Sequence, residues 1–209
     1  MLNILIADDH AIVRRGLRQL ILEEFPEARI GEEENGEGLV ARVSRENWDL
    51  VISDITMPGR NGLEALEQIR EIKADLPVLI MSMHGEDQYA LRAFKAGAAG
   101  YLSKDQVHEE LPDAIRMIRR GRKYITPEVA EYLAGSLEQD KDKLPHELLS
   151  NREFEVLKQL AAGKTVTEIA ETLYLSSTTV STYRSRILEK TGLKNNAEIV
   201  RYAINQGLI

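Results

Sequence analysis

The sequence predicts an α/β domain with a doubly wound, five-stranded parallel sheet, followed by a small all-α domain of four helices. Two observations predict it. Over roughly the first 120 residues, short apolar runs alternate with amphipathic stretches of helical period, and strand–helix alternation of this kind gives parallel sheets with helices on both faces. Beyond about residue 146 the strand pattern is gone and capping signals open one helix after another. The division expected is 1–120, a linker at 121–146, and 147–209.

The strands read as Leu2 to Ala7, a weaker one near Ala28 to Glu32, Asp49 to Ser53, Pro77 to Ser82, and Ala98 to Leu102. Between them the helical faces are Val13, Leu17, Leu20 and Ile21; Leu39, Val40 and Val43; Leu63, Leu66, Ile69 and Ile72; Tyr89, Leu91 and Phe94; and Leu111, Ala114, Ile115 and Ile118. Pro127 to Leu137 suits a linker helix, and the polar run Glu138 to Glu147 suits a hinge. Ser150 and Glu153 have capping-box spacing ahead of Val156, Leu157, Leu160 and Ala161, and that helix should end near Gly163. Val166, Ile169, Ala170 and Leu173 form a second helix. Ser176 caps a third running to about Lys190, and Asn195 caps a fourth carrying Ile199, Val200, Ala203 and Ile204.

Composition narrows the functional classes. The chain has 209 residues, no cysteine and a net charge of −7. Disulfides, thiolate chemistry and zinc ribbons are excluded, while His10, His84, His108 and His146 are too scattered to suggest a histidine metal site. No apolar run reaches the roughly 18 residues a bilayer needs, and Leu2 to Ala7 lacks the flanks of a signal peptide, so a cytoplasmic protein with no membrane partner is expected. The acidity is local: residues 1–120 hold 22 acids and 15 bases, whereas residues 147–209 hold 7 and 8. The second domain, at +1, is therefore compatible with nucleic acid, although one copy would bind weakly at physiological salt.

Ligands on such sheets bind beyond the carboxyl ends of the strands. On this reading Asp8, Asp9, Asp54, Ser82 and Lys104 all lie at that edge. Acids at strand ends often serve only as caps, but three carboxylates at one point repel each other unless a proton or cation intervenes, and hard oxygen ligands select Mg²⁺.

Asp54-Ile55-Thr56-Met57-Pro58-Gly59, ending at Gly62, together with Asp8-Asp9 and Lys104, resembles the flavodoxin-like receiver domains of two-component response regulators. The resemblance implies that Asp54 accepts a phosphoryl group from the phosphohistidine of a sensor kinase. It implies further that Asp9 ligates Mg²⁺ directly, Asp8 through water and Thr56 through its backbone carbonyl. Lys104 and Ser82 would stabilise the phosphoryl oxygens, and Tyr101 stands at the family's switch aromatic. Asp105 follows Lys104 where the family often has proline. Such a protein is a stoichiometric acceptor, not a turnover enzyme.

Residues 166–190 have helix-turn-helix spacing about Tyr174-Leu175. At 100° per residue, Val180, Tyr183 and Ile187 share one face of the third helix. Ser181, Thr182, Ser185 and Glu189 lie opposite, flanked by Arg184 and Arg186. Short polar side chains beside cations suit a major groove, and equally a solvated face. Leu175-Ser176 through Thr179-Val180 to Ile187 and Lys190, followed by Gly192-Leu193, resembles the LuxR-type helix-turn-helix. With the receiver, this is the NarL/FixJ class. The resemblance implies base-facing Ser181, Thr182 and Ser185, and phosphate contacts from Lys164, Thr178, Thr179, Arg184, Arg186 and Lys190. Tyr183 stands where histidine is common. Double-stranded DNA and a homodimer on phosphorylation are the partners implied.

Competing classes fare less well. A haloacid-dehalogenase-type hydrolase wants a second Asp two residues after the nucleophile, where Thr56 stands. A nucleotide enzyme wants a glycine-rich loop where Asp8-Asp9-His10 stands. A receiver-controlled protein-interaction module that never touches DNA remains the alternative.

Overall fold

The structure is a computed structural model describing residues 1–83, 86–138 and 144–209. His84 and residues 139–143, half of the expected hinge, lie outside the described residues. The chain divides into two compact units, Met1–Gly135 and Ser136–Ile209.

In the first unit, β1 (Asn3–Ala7), β2 (Arg29–Glu33), β3 (Leu50–Asp54), β4 (Val78–Ser82) and β5 (Gly100–Ser103) form one sheet in the order β2-β1-β3-β4-β5. Every pairing is parallel, which is the flavodoxin-like order. The central strands β3 and β4 are buried at every residue, so both faces are covered and the strands read as continuous apolar runs. β2 is an edge strand with only Gly31 buried, which is why its sequence signal is weak. Alternation sends Ile4 and Ile6 of β1, with Ile52, Leu79 and Met81, to the face covered by α1 (Ala11–Glu24) and α5 (Val107–Arg119). There they meet Leu17, Ile21, Leu111 and Ile115. The remaining helices of this domain are α2 (Gly36–Arg45), α3 (Gly62–Ile72) and α4 (Glu86–Lys95).

The compact unit continues past position 120 for local reasons. Tyr124 donates its backbone N–H to Ala99 O at 2.9 Å and its hydroxyl to Glu110 at 2.6 Å, extending the sheet edge by one bridge. Thr126 and Val129 are buried at the start of α6 (Pro127–Glu138).

The second unit opens with a 3₁₀ turn, Pro145–Leu148, followed by α7 (Asn151–Ala161), α8 (Val166–Thr172), α9 (Ser177–Thr191) and α10 (Asn196–Asn205). Each α-helix is capped as its sequence demands. Ser150 and Thr165 make reciprocal capping boxes with Glu153 and Glu168, Ser176 accepts from Thr179 N–H and Asn195 from Glu198 N–H, and Gly192 ends α9 at φ 73°. Phe154, Leu157, Val180, Ile187, Ile199 and Ala203 fill the core. Between α8 and α9 the chain turns through Tyr174, whose φ of 55° lies in the left-handed region and whose side chain is exposed.

One glycine governs the loop that follows β3. Gly62 donates its N–H to Ile55 O at 2.8 Å, and a methyl on it would stand 1.9 Å from Asp54 O. No side-chain rotation relieves a clash with a backbone carbonyl, so Gly62→Ala must displace the strand end. Its expected cost is about 3 kcal/mol or more, measured as a lower midpoint in urea unfolding.

Candidate functional site

The carboxyl ends of β1 and β3 are adjacent in the sheet, with Ala7 level with Ser53, so the next residues of both strands emerge side by side. Asp8 is fully buried, Asp54 is 3% exposed and Asp9 is half-buried. Lys104 reaches across from the loop after β5. Its Nζ lies 2.7 Å from Asp54 Oδ2 and 2.6 Å from Asp8 Oδ2. That reach is fixed at its root, because Lys104 N–H donates to Ser82 O at 2.8 Å at the end of β4. Ser82 itself is buried, and Tyr101 is buried within β5.

One cation does not neutralise three acids. Burial, opposed by Lys104 and by the backbone N–H of Thr56 and reinforced by the Asp8 charge, pushes Asp54 up to about 6. For Lys104, burial acts downward, but Asp54 and Asp8 outweigh it and the net shift is upward. The ammonium therefore stays charged.

The arrangement fits a hard divalent cation. One ligand atom from each of Asp8, Asp9, His10 and Asp54 lies within 4.8 Å of the others. Asp9 Oδ1 is shielded from solvent and has no hydrogen-bond partner. His10 Nδ1 stands 2.7 Å away but is not aligned for a hydrogen bond to it. A buried carboxylate oxygen left unsatisfied among other carboxylates is costly unless a cation meets it. His10, expected to be an ordinary residue, thus sits beside the acidic cluster, and its own N–H donates to Asp8 Oδ1 at 2.8 Å.

Asp8, Asp9, Asp54 and Lys104 are brought together as the sequence indicated, with Thr56 two residues beyond Asp54 and Ser82 at the neighbouring strand end. The residue the sequence reading missed is Arg14. Buried on α1, it donates from Nη1 to Asp8 O and from Nη2 to Glu34, both at 2.7 Å. Its signal was available: Arg14, Leu17 and Ile21 share one helical face, and a cation on an apolar stripe needs partners.

On α9, Val180 and Ile187 are buried and Tyr183 half-buried, whereas Ser181, Thr182, Ser185, Arg186 and Glu189 are exposed. The outward hydroxyls are held along their own helix. Thr182 donates to Thr178 O at 3.0 Å and Ser185 to Ser181 O at 3.1 Å, while Thr179 pairs with Ser176. Two of the expected cationic phosphate contacts also have partners within the domain. Arg184 Nε donates to Asn196 at 2.7 Å, joining α9 to α10. Lys190 Nζ meets Glu153 at 2.6 Å, joining α9 to α7. Lys164 is half-buried in the α7–α8 turn. Arg186 is exposed.

Residues 4–116 match the response regulator receiver domain, and residues 147–203 match the bacterial regulatory proteins of the luxR family. Response regulator UvrY of Escherichia coli (strain K12) is 37% identical over all of this chain and 96% of its own length. Response regulator GacA of Pseudomonas aeruginosa is 33% identical over all of this chain and 98% of its own. Among solved structures, RcsB from Salmonella enterica serovar Typhimurium, bound to promoter P1flhDC in the presence of phosphomimetic BeF3−, superposes with a TM-score of 0.61 at 28% identity. That match covers 96% of this chain and 97% of RcsB. Two RcsB dimers bound to two parallel DNAs give 0.59 at 27% identity, over 96% and 97%.

The raised Asp54 value has a measurable consequence. The folded carboxyl holds its proton more tightly than the unfolded one, so stability falls as pH rises through about 4 to 6 and stays lower above. Asp54→Asn removes that charge. Without divalent cations, the variant should be more stable than wild type at pH 7.5 by the order of 2 kcal/mol, read as a higher unfolding temperature. The difference should fade below pH 5; a variant less stable than wild type at pH 7.5 would contradict the electrostatic account.

Proposed function

We propose, for a chain that belongs to the two-component response regulators with a receiver domain and a luxR-family helix-turn-helix, that Asp54 is its phosphoacceptor and that phosphorylation of this residue controls its DNA binding. The observation that carries the reading is the buried Asp54 carboxylate beside Asp8 and Asp9, bridged to Asp8 by Lys104.

An Asp54 oxygen attacks the phosphorus of a phosphohistidine on a partner kinase. The P–N bond breaks, its electron pair stays on the imidazole, and that ring nitrogen takes a proton from solvent. Asp9, Asp8 and the Thr56 carbonyl would hold Mg²⁺, which supplies positive charge against the repulsion between Asp54 and the incoming phosphoryl oxygens. Lys104 meets the same need from the protein. Once Asp54 is esterified its charge moves outward onto the phosphoryl group, and the ammonium can follow it, with the Ser82 hydroxyl as a further donor. The protein accepts one phosphoryl group per event and is not a turnover enzyme.

Repositioning Lys104 changes the pull on β5, which carries buried Tyr101, and this supports a two-state coupling worth a few kcal/mol. Residues 1–120 then act as the phosphoacceptor domain, 121–146 as the linker and 147–209 as the DNA reader. The luxR-family match favours this over a module confined to protein partners. Ser181, Thr182 and Ser185 are the proposed base-edge readers, and Arg186 with Thr178 the phosphate contacts. Arg184, Lys190 and Thr179 act there only as far as their internal partners allow, and Lys164 only as far as its partial burial allows. A homodimer offsets the small charge of each reading domain. Among the described residues no helix is long and apolar enough to cross a membrane, and a cytoplasmic site of action is part of the proposal.

Two measurements test it. Incubation with acetyl phosphate and Mg²⁺ should add about 80 Da, one phosphoryl group, to wild type and not to Asp54→Asn. Equal gain in both would refute the assignment. Phosphodonor-treated protein should bind duplex DNA more tightly than untreated protein, and Arg186→Ala should lower the slope of log affinity against log salt by about one.

A further inference from the structure

Asp8 and Asp9 lie in a turn between β1 and α1, and a turn supplies no rigidity by itself. Three hydrogen bonds constrain this one from within and below: Asp8 N–H donates to Glu33 O at 3.2 Å, His10 N–H donates to Asp8 Oδ1, and Arg14 Nη1 donates to Asp8 O. Lys104 Nζ holds the Asp8 carboxylate from the other side at 2.6 Å, but of the side chains named here only that of Arg14 grips the turn's backbone. Arg14 is itself 8% exposed at its side chain, and its guanidinium is anchored at its far end by Glu34, just beyond β2, with Glu32 Oε2 3.6 Å from Nε. The planar fork thus ties two loops together: one Nη holds the backbone of the acidic turn, the other a carboxylate 20 residues away. Glu34 is 72% exposed and touches neither Asp54 nor Lys104 through any hydrogen bond or ion pair described here.

We propose that Arg14, held by Glu34, is a positioning residue that presets Asp8 and Asp9 for the divalent cation. The inference rests on the metal-assisted reading above, and it assigns the cation affinity in part to a β2–α2 loop that supplies no ligand. A lysine at position 14 keeps the charge but replaces the fork by one ammonium, which cannot hold the Asp8 carbonyl and Glu34 in the same planar geometry. Charge and positioning are thereby separable.

The test titrates Mg²⁺ against wild type, Arg14→Lys and Glu34→Ala with two readouts. These are the rise in unfolding temperature without phosphodonor, and the initial rate of phosphorylation by acetyl phosphate. The half-saturating Mg²⁺ concentration should increase about tenfold in Arg14→Lys and about threefold in Glu34→Ala in both readouts. The rate at saturating Mg²⁺ should stay within about twofold of wild type, because Asp54 and Lys104 are untouched. Unchanged half-saturation in both variants overturns the proposal, as does a loss of rate that Mg²⁺ does not restore. Should Arg14→Lys fail to fold, Glu34→Ala decides, since its side chain is at the surface. The thermal readout needs no phosphoryl chemistry. A wild type stabilised by Mg²⁺ yet never phosphorylated would defeat the function proposed above and leave the positioning role standing or falling on the Mg²⁺ shifts alone.

Discussion

The ammonium of Lys104 between two buried carboxylates is the interaction on which the receiver depends. Asp8 and Asp54 end neighbouring parallel strands, so the sheet register forces them together whatever their charges. One cation placed 2.6 and 2.7 Å from them makes the arrangement tolerable without making it comfortable, and the remaining imbalance appears as the elevated Asp54 value. Strand ends alone do not create the site. The long reach of Lys104 is aimed by one backbone hydrogen bond to Ser82, so the loops after β4 and β5 are mechanically part of the acidic pocket. On the proposed function, an added phosphoryl group would change the partner of that ammonium, and both loops would feel it.

The same economy shapes the loop beyond Asp54. Gly62 sits so close to the Asp54 carbonyl that no side chain fits, and Asn61 caps α3 through a reciprocal pair with Glu64. Asp54 is thereby set at the end of a fully buried strand, with a short loop leading from it to a firmly capped helix. Rigid support on both sides is what a group needs when its reaction depends on alignment with an incoming phosphorus.

Much of this was legible in the sequence because it rests on period and end position. Continuous apolar runs marked β1, β3 and β4, the aspartates stood where the first two of those runs stop, and the four capped helices of the second domain carried their Ser, Thr or Asn in place. What escaped was partner choice across the chain. Nothing local indicates that Arg14 would hold Asp8 O and Glu34, or that Lys190 would turn to Glu153, 37 residues away. β2 was faint because an edge strand buries little. The wheel placed Arg184 on a groove-flanking position, but Asn196 on the following helix already engages it. Such cations serve the scaffold first, and loss of DNA binding on replacing them would mix a contact with a repacking.

The turn ahead of α9 carries Tyr174 in a left-handed conformation that asparagine or glycine adopts more readily. The cost to a tyrosine there is of the order of 1 kcal/mol, and the outward-facing residues of α9 are not involved in it. A reserve of stability therefore lies within one substitution, separate from the exposed face of α9. Descendants of this protein could draw on it to absorb destabilising changes in Ser181, Thr182 or Ser185, the proposed base readers, while the fold stays above its melting threshold.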